Sequence, residues 1–132
     1  MVASTSARVL VVETKTMITV CAWREKSYLD PKTEWNIWSN LTRAYGIDVL
    51  ALIPFEQYDL PSTDDPVVVL DEDGQILLED FEWPDDFVLV TGRSLQNIDH
   101  LPGTHVRIPI HKTDVFGMCC VAIALEDWRR KK

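Results

Sequence analysis

The chain reads as one α/β domain, a mostly parallel central sheet flanked by helices, and three stretches give that reading. Phe87-Val88-Leu89-Val90-Thr91-Gly92 is an apolar run entered from acidic residues and closed by glycine. Apolar residues at successive positions suit a strand covered on both faces, the habit of parallel sheets. Between Thr33 and Tyr45, Trp35, Trp38, Leu41 and Tyr45 recur at steps of three and four, the stripe of a helix docked on a sheet. Phe116 through Trp128 is a second apolar helix candidate. At 132 residues the chain forms a single domain, able to bury roughly two thirds of its unfolded surface without staples, with helices expected on both faces of the sheet.

In chain order, Arg8-Val9-Leu10-Val11-Val12-Glu13 reads as the first strand. Met17 to Trp23 is either a second strand or the start of a helix, which periodicity does not separate over so short a run. Arg24 to Lys32 is polar and contains Asp30-Pro31, a loop and helix entry. The Thr33 to Tyr45 helix has Thr33 as its cap and Gly46 as its stop. The run Ile47 to Pro54 follows as a strand, and Val67-Val68-Val69-Leu70 as another. Asp71-Glu72-Asp73-Gly74 is a turn whose Asp-Gly suits a hairpin, with Gln75 to Leu78 returning antiparallel. After the Phe87 run come the turn Pro102-Gly103, the alternating strand His105 to Ile110, a polar loop from His111 to Asp114, and the last helix.

Composition excludes several classes. The longest apolar run, Met118 to Leu125, falls far short of the ~20 residues that span a bilayer. Met1 to Ser6 lacks the basic start and apolar core of a signal peptide, so the expected location is cytoplasmic. Cys21, Cys119 and Cys120 are odd in number, lack C-x-x-C spacing and sit in apolar runs, which makes them reduced core residues rather than a metal or disulfide set. The acidic quartet at Asp71 lacks the twelve-residue loop and closing Glu of a calcium site, so no metal is expected. There is no dinucleotide-binding glycine motif, P-loop, nucleophile elbow or paired zinc histidine. The net charge is −8, yet thirteen acidic residues between Glu56 and Asp99 face Arg93 as the single cation there. That acidity argues against a broad nucleic-acid surface and leaves room for local basic rims: Arg24, Lys26, Lys32 and Arg43 in the first half, and Arg129-Arg130-Lys131-Lys132 at the end.

The order strand, loop, strand, loop, helix in the last third, with Leu89-Val90-Thr91-Gly92, Ile108-Pro109-Ile110 and Val121-Ala122-Ile123-Ala124-Leu125 before Trp128-Arg129-Arg130, resembles the C-terminal half of the SpoU/TrmH class of RNA methyltransferases in the SPOUT superfamily. Phe81-Glu82-Trp83-Pro84-Asp85-Asp86 looks like the lead-in of its small members. The resemblance implies a C-terminal trefoil knot, a homodimer joined partly through the last helix, and transfer of a methyl group from S-adenosylmethionine to a ribose 2′-oxygen of structured RNA. It also implies that the cofactor lies between three loops, with Thr91, Gly92, Arg93, Ser94, Ile108, Ile110, Val115, Gly117 and Met118 as its candidate contacts.

The chain departs from that pattern in its side chains. The family's Glu two residues after the glycine is Ser94, its next glycine falls near Asn97, and the entry to the last helix is Val115-Phe116-Gly117-Met118. Counting back from Gly46, the family's first-motif Arg falls on Asn40 and its Asn on Glu34. Asn36, Asn40 and Arg43 form one polar stripe by spacing, which is equally the solvated face of an amphipathic helix. A ribose hydroxyl needs a base or a cation to assist its deprotonation. The candidates for that help are Arg43, Asn36 and Asn40 on the helix, Arg93 beside the methyl donor, and His111 as a proton acceptor near neutral pH. The alternatives are a homologue that binds adenosylmethionine or a nucleotide without catalysis, and an acidic protein-interaction module.

Overall fold

The computed structural model describes residues 17–24, 30–54, 57, 59–60, 62–92, 98–109 and 117–132. Six strands, β1 (Ile18–Trp23), β2 (Val49–Ile53), β3 (Val67–Leu70), β4 (Ile76–Leu77), β5 (Phe87–Thr91) and β6 (Thr104–Arg107), form one sheet in the order β2-β1-β5-β3-β6-β4. Every described pairing is parallel. β5 is one of the two central strands, with Val20 opposite Leu89 on one side and Val68 opposite Leu89 on the other. All five of its residues are buried, as the uninterrupted apolar run requires. The expected strand at Arg8 to Glu13 lies outside the described residues.

Helix α1 (Pro31–Ala44) connects β1 to β2. Asp30 caps it: the Thr33 N–H donates to Asp30 Oδ1 at 2.9 Å and the Thr33 hydroxyl to Asp30 Oδ2 at 2.8 Å. Pro31 follows in the first turn, where its missing N–H and fixed φ cost nothing. The helix closes on Gly46 at φ 70°, with Gly46 N–H donating to Arg43 O and Ile47 N–H to Thr42 O at 3.1 and 3.0 Å, a left-handed stop that favours glycine. The cap is therefore Asp30 and not Thr33, while Trp38, Leu41 and Tyr45 of the expected stripe do pack on the core. Glu34, Trp38 and Thr42 are buried, whereas Trp35, expected inside, is 48% exposed.

Helix α2 (Gly117–Lys131) packs Val121, Ala124, Leu125 and Trp128 on the sheet. The same core cluster holds Ile18, Val20 and Ala22 of β1, Phe87 and Leu89 of β5, and Trp38 of α1, and the Trp128 ring meets Phe87 edge-on with centroids 6.0 Å apart. Fully burying one such aliphatic or aromatic side chain contributes about 1.5–3 kcal/mol. Both described helices thus share one face, joined by the Tyr45 hydroxyl donating to Glu126 Oε1 at 3.1 Å. Among the described residues no helix covers the opposite face, where one was also expected. The other face carries Cys21, Trp23, Val69, Val88 and Val90, covered by Ile98 and Leu101 from the segment between β5 and β6 and by Ile53 at the end of β2. The chain leaves β5, crosses the second face, passes beyond β3 to lay down β6, and returns to the first face as α2.

No hairpin follows β3. β4 pairs parallel with β6, Ile76 opposite Val106, so the antiparallel return expected from Asp73-Gly74 does not form. Gly74 serves a close approach instead: a Cβ there would lie 2.9 Å from the His105 and Val106 backbone. Beyond β4, a short 3-10 turn at Leu78–Asp80 is tied to α2 by Lys131, whose Nζ donates to the carbonyls of Leu78, Glu79 and Phe81 at 2.8, 3.0 and 3.0 Å. Of the cysteines, Cys21 is buried as expected, but Cys119 is exposed and Cys120 half-buried, because the inward face of α2 is set by Val121, Ala124 and Leu125. No described helix is long and apolar enough to cross a membrane.

Candidate functional site

In parallel sheets, ligands gather at the carboxyl ends of the strands, where loops diverge around a topological switch. Here that edge is formed by Trp23-Arg24 after β1, Gly92 after β5 and the chain beyond Arg107 after β6. The start of α2 closes on it. A Cβ added to Gly117 would meet the Gly92 carbonyl oxygen at 2.9 Å, Thr91 Cγ2 at 3.0 Å and Thr91 Oγ1 at 3.1 Å. The helix start therefore lies close against the Gly92 carbonyl and the Thr91 side chain, with no room for a side chain at position 117. Ile108 and Met118, both half-buried, pack against the core cluster of the same face. Thr91, Gly92, Ile108, Gly117 and Met118 are thus gathered around the strand ends on one side of the sheet. Arg93, Ser94, Ile110, His111 and Val115 lie outside the described residues.

The helix residues are placed differently. Asn36, Asn40 and Arg43 are all exposed, and Arg43 Nη2 donates to Asn40 Oδ1 at a long 3.4 Å. α1 starts near the carboxyl end of β1 and runs back toward the start of β2. Its last turn, with Arg43, is therefore about 18 Å along the axis from its first residue. Arg43 favours the helix dipole there, and within one chain it stands at the opposite end of α1 from Gly92 and Gly117.

The sequence pattern did not single out the charged pair that does reach this edge. Glu34 is fully buried in the first turn of α1, at the position where the family's Asn would fall, and Arg24 Nε donates to its Oε1 at 3.1 Å. Along β1, Ile18, Val20 and Ala22 face the helices while Cys21 and Trp23 face away. Arg24 continues the first set and lies two residues beyond Ala22, the partner of Thr91. The signal lay in the spacing: Glu34, Trp38 and Thr42 recur every four residues and so share one face of the helix.

A second grouping lies on the loops around β3 and β6. His105 Nδ1 is 2.7 Å from Asp71 Oδ2 and its Nε2 is 2.8 Å from the Leu101 carbonyl. Both partners present acceptor oxygens, an arrangement that favours the protonated imidazole, in which both ring nitrogens donate. Desolvation works against that charge. The Leu101 carbonyl, the Asp71 carboxylate and, at longer range, Asp99 outweigh it and raise the pKa above its ordinary 6.5. Asp71, Asp73 and Asp99 each bring one carboxylate oxygen within 4.8 Å of the others, a proximity the sequence hid because Asp99 comes from a different turn. Asp71 is already engaged by His105 and by the Asp73 N–H at 2.9 Å. This cluster braces the turn after β3 against β6.

No protein-family model and no curated protein matches the chain.

Proposed function

We propose that the chain is a methyltransferase-like protein of the SpoU/TrmH class that binds S-adenosylmethionine at the strand ends around Gly92, Ile108 and Gly117 and acts on a ribose 2′-oxygen of structured RNA. The single observation behind this reading is the backbone contact of Gly117 on Gly92 and Thr91. A cofactor read mainly by backbone N–H and C=O groups depends on loop shape, and a strand end abutting a helix start through two glycines provides that shape without the family's side chains. The strand order supports the same reading: β5 inserts between β1 and β3, β6 passes beyond β3, and α2 returns to the end of β5, the order in which a trefoil knot ties a chain end.

Catalysis has a further requirement. Arg43 sits at the far turn of α1, so a second subunit would have to present it to the cofactor. The exposed Cys119 and Ile123 on α2 give that helix an outward apolar strip on which a homodimer would form. If the protein is a monomer, the placement of Arg43 favours the second reading, a homologue that binds adenosylmethionine without transferring its methyl group.

Titration calorimetry with adenosylmethionine tests the shared part: saturable heat is expected, and no heat at millimolar ligand removes both readings. Incorporation of labelled methyl into bulk RNA, compared with Arg43→Ala, separates them. Incorporation lost in the variant supports the enzyme, and none above background in the wild type leaves binding alone.

A further inference from the structure

We infer that Arg24 is the phosphate-binding residue of this site, its guanidinium aimed by the buried Glu34 to take a backbone phosphate of RNA. The inference rests on the reading of the strand ends as a ligand cleft, and it names a group there that contacts the nucleic acid.

A carboxylate with no solvent exposure costs several kcal/mol to desolvate, and an apolar pair in its place is often as stable or more so. The observed pair is therefore poorly explained by stability alone. What Glu34 does is fix a cation. It engages Arg24 through Nε at 3.1 Å, while the Arg24 side chain stays 34% exposed. The fork of two Nη groups meets no partner among the described residues. A guanidinium held at its neck with its fork free is suited to grip a phosphate through two parallel hydrogen bonds.

Position supports the same assignment. Arg24 is on the helix-covered face, beyond Ala22, whose partner across the ladder is Thr91. It therefore stands at the same end and on the same side of the sheet as Thr91, Gly92 and Gly117, where Arg43 does not reach within one chain. Its N–H donates to the Ile53 carbonyl at 3.0 Å, which holds its backbone in the ladder and limits how far the side chain can swing. In a chain of net charge −8, a polyanion approaches only where a cation is presented locally.

The test uses a fluorescein-labelled RNA hairpin and anisotropy over a salt series, with the wild type, Arg24→Gln, Arg24→Lys and the double variant Arg24→Met/Glu34→Leu. The double variant replaces both members of the pair by apolar side chains and so controls for any loss of fold in Arg24→Gln. Adenosylmethionine calorimetry is run on the same samples. The expected result is RNA binding about tenfold weaker in Arg24→Gln and in the double variant, with a salt slope lower by about one, partial recovery in Arg24→Lys, and unchanged heat with adenosylmethionine. RNA affinity and slope unchanged in the folded double variant, or no RNA binding by the wild type at low salt, overturns the inference while the adenosyl reading stands. Arg24-dependent RNA binding without adenosylmethionine heat does the reverse: it upholds Arg24 and removes the cofactor reading.

Discussion

Gly117 rests its backbone on the carbonyl oxygen of Gly92, so closely that a Cβ would meet that oxygen at 2.9 Å and the Thr91 side chain at 3.0 Å. Alanine is normally the better helix residue by about 1 kcal/mol. Here the methyl would collide with backbone that cannot move without shifting β5. Gly117→Ala is accordingly expected to lower stability by about 1–3 kcal/mol and to weaken adenosylmethionine binding. Urea unfolding checks the first part, and a variant at least as stable as the wild type would show that the contact is looser than described.

His105 makes the fold sensitive to pH. Its folded pKa is raised above the ordinary 6.5, against desolvation, by the Leu101 carbonyl and by Asp71 and Asp99. A raised folded pKa means that the native state holds the proton more tightly than the unfolded chain. The resulting stabilisation is complete below about pH 6.5 and fades as pH rises through the folded value. Comparing urea midpoints of the wild type and His105→Gln from about pH 5.5 to 8.5 should show a gap that narrows with rising pH. A gap of constant width would mean that His105 is held neutral.

The two tryptophans that are each 2% exposed, Trp23 and Trp38, differ in one atom's partner. Trp23 Nε1 donates to the Gln57 carbonyl, while Trp38 Nε1 is buried with no partner among the described residues. Substituting phenylalanine removes similar apolar area from both but takes away a hydrogen bond in one case and an unpaired donor in the other. Trp38→Phe should cost less than Trp23→Phe by about 1–3 kcal/mol. Equal losses in chemical denaturation would indicate that a water reaches the Trp38 indole.

The fold was legible where one residue pattern admitted one physical cause. The Phe87 to Val90 run is apolar at every position, and a strand covered on both faces uses that. The stripe located α1 and its inward face, with Trp38, Leu41 and Tyr45 on the core and Trp35 alone exposed, but its start was set by Asp30, which bonds both the Thr33 N–H and its hydroxyl. Asp73-Gly74 misled for a different reason. A glycine demanded by a backbone approach to β6 looks in sequence like one demanded by a tight turn. At the candidate site, no local pattern places Gly92 beside Gly117, because the two belong to different elements far apart in the chain. The Arg24–Glu34 pair joins a strand end to a helix, and no local spacing announces such a contact.

Thiol chemistry should read the orientation of α2 directly. Burial pushes the Cys21 thiol up to about 11, and burial with the neighbouring Cys119 charge raises Cys120, whereas the Cys119 side chain is exposed. Maleimide at neutral pH is expected to label Cys119 first, Cys120 slowly, and Cys21 only in denaturant. Mass spectrometry of the digested adduct identifies the order, and early labelling at Cys21 would contradict the packing of the second sheet face.

The placement of β5 between β1 and β3 also sets an order on synthesis. Ile18 pairs with Phe87, and Val68 pairs with Leu89 on one side and Thr104 on the other, so the centre of the sheet has to wait until about two thirds of the chain has left the ribosome. Until then the nascent polypeptide carries β1 and β3 as apolar segments with open hydrogen-bonding edges, an invitation to pair with neighbouring chains. Non-local pairing of this kind folds slowly, and growth in the cold or with abundant chaperones should raise the soluble yield.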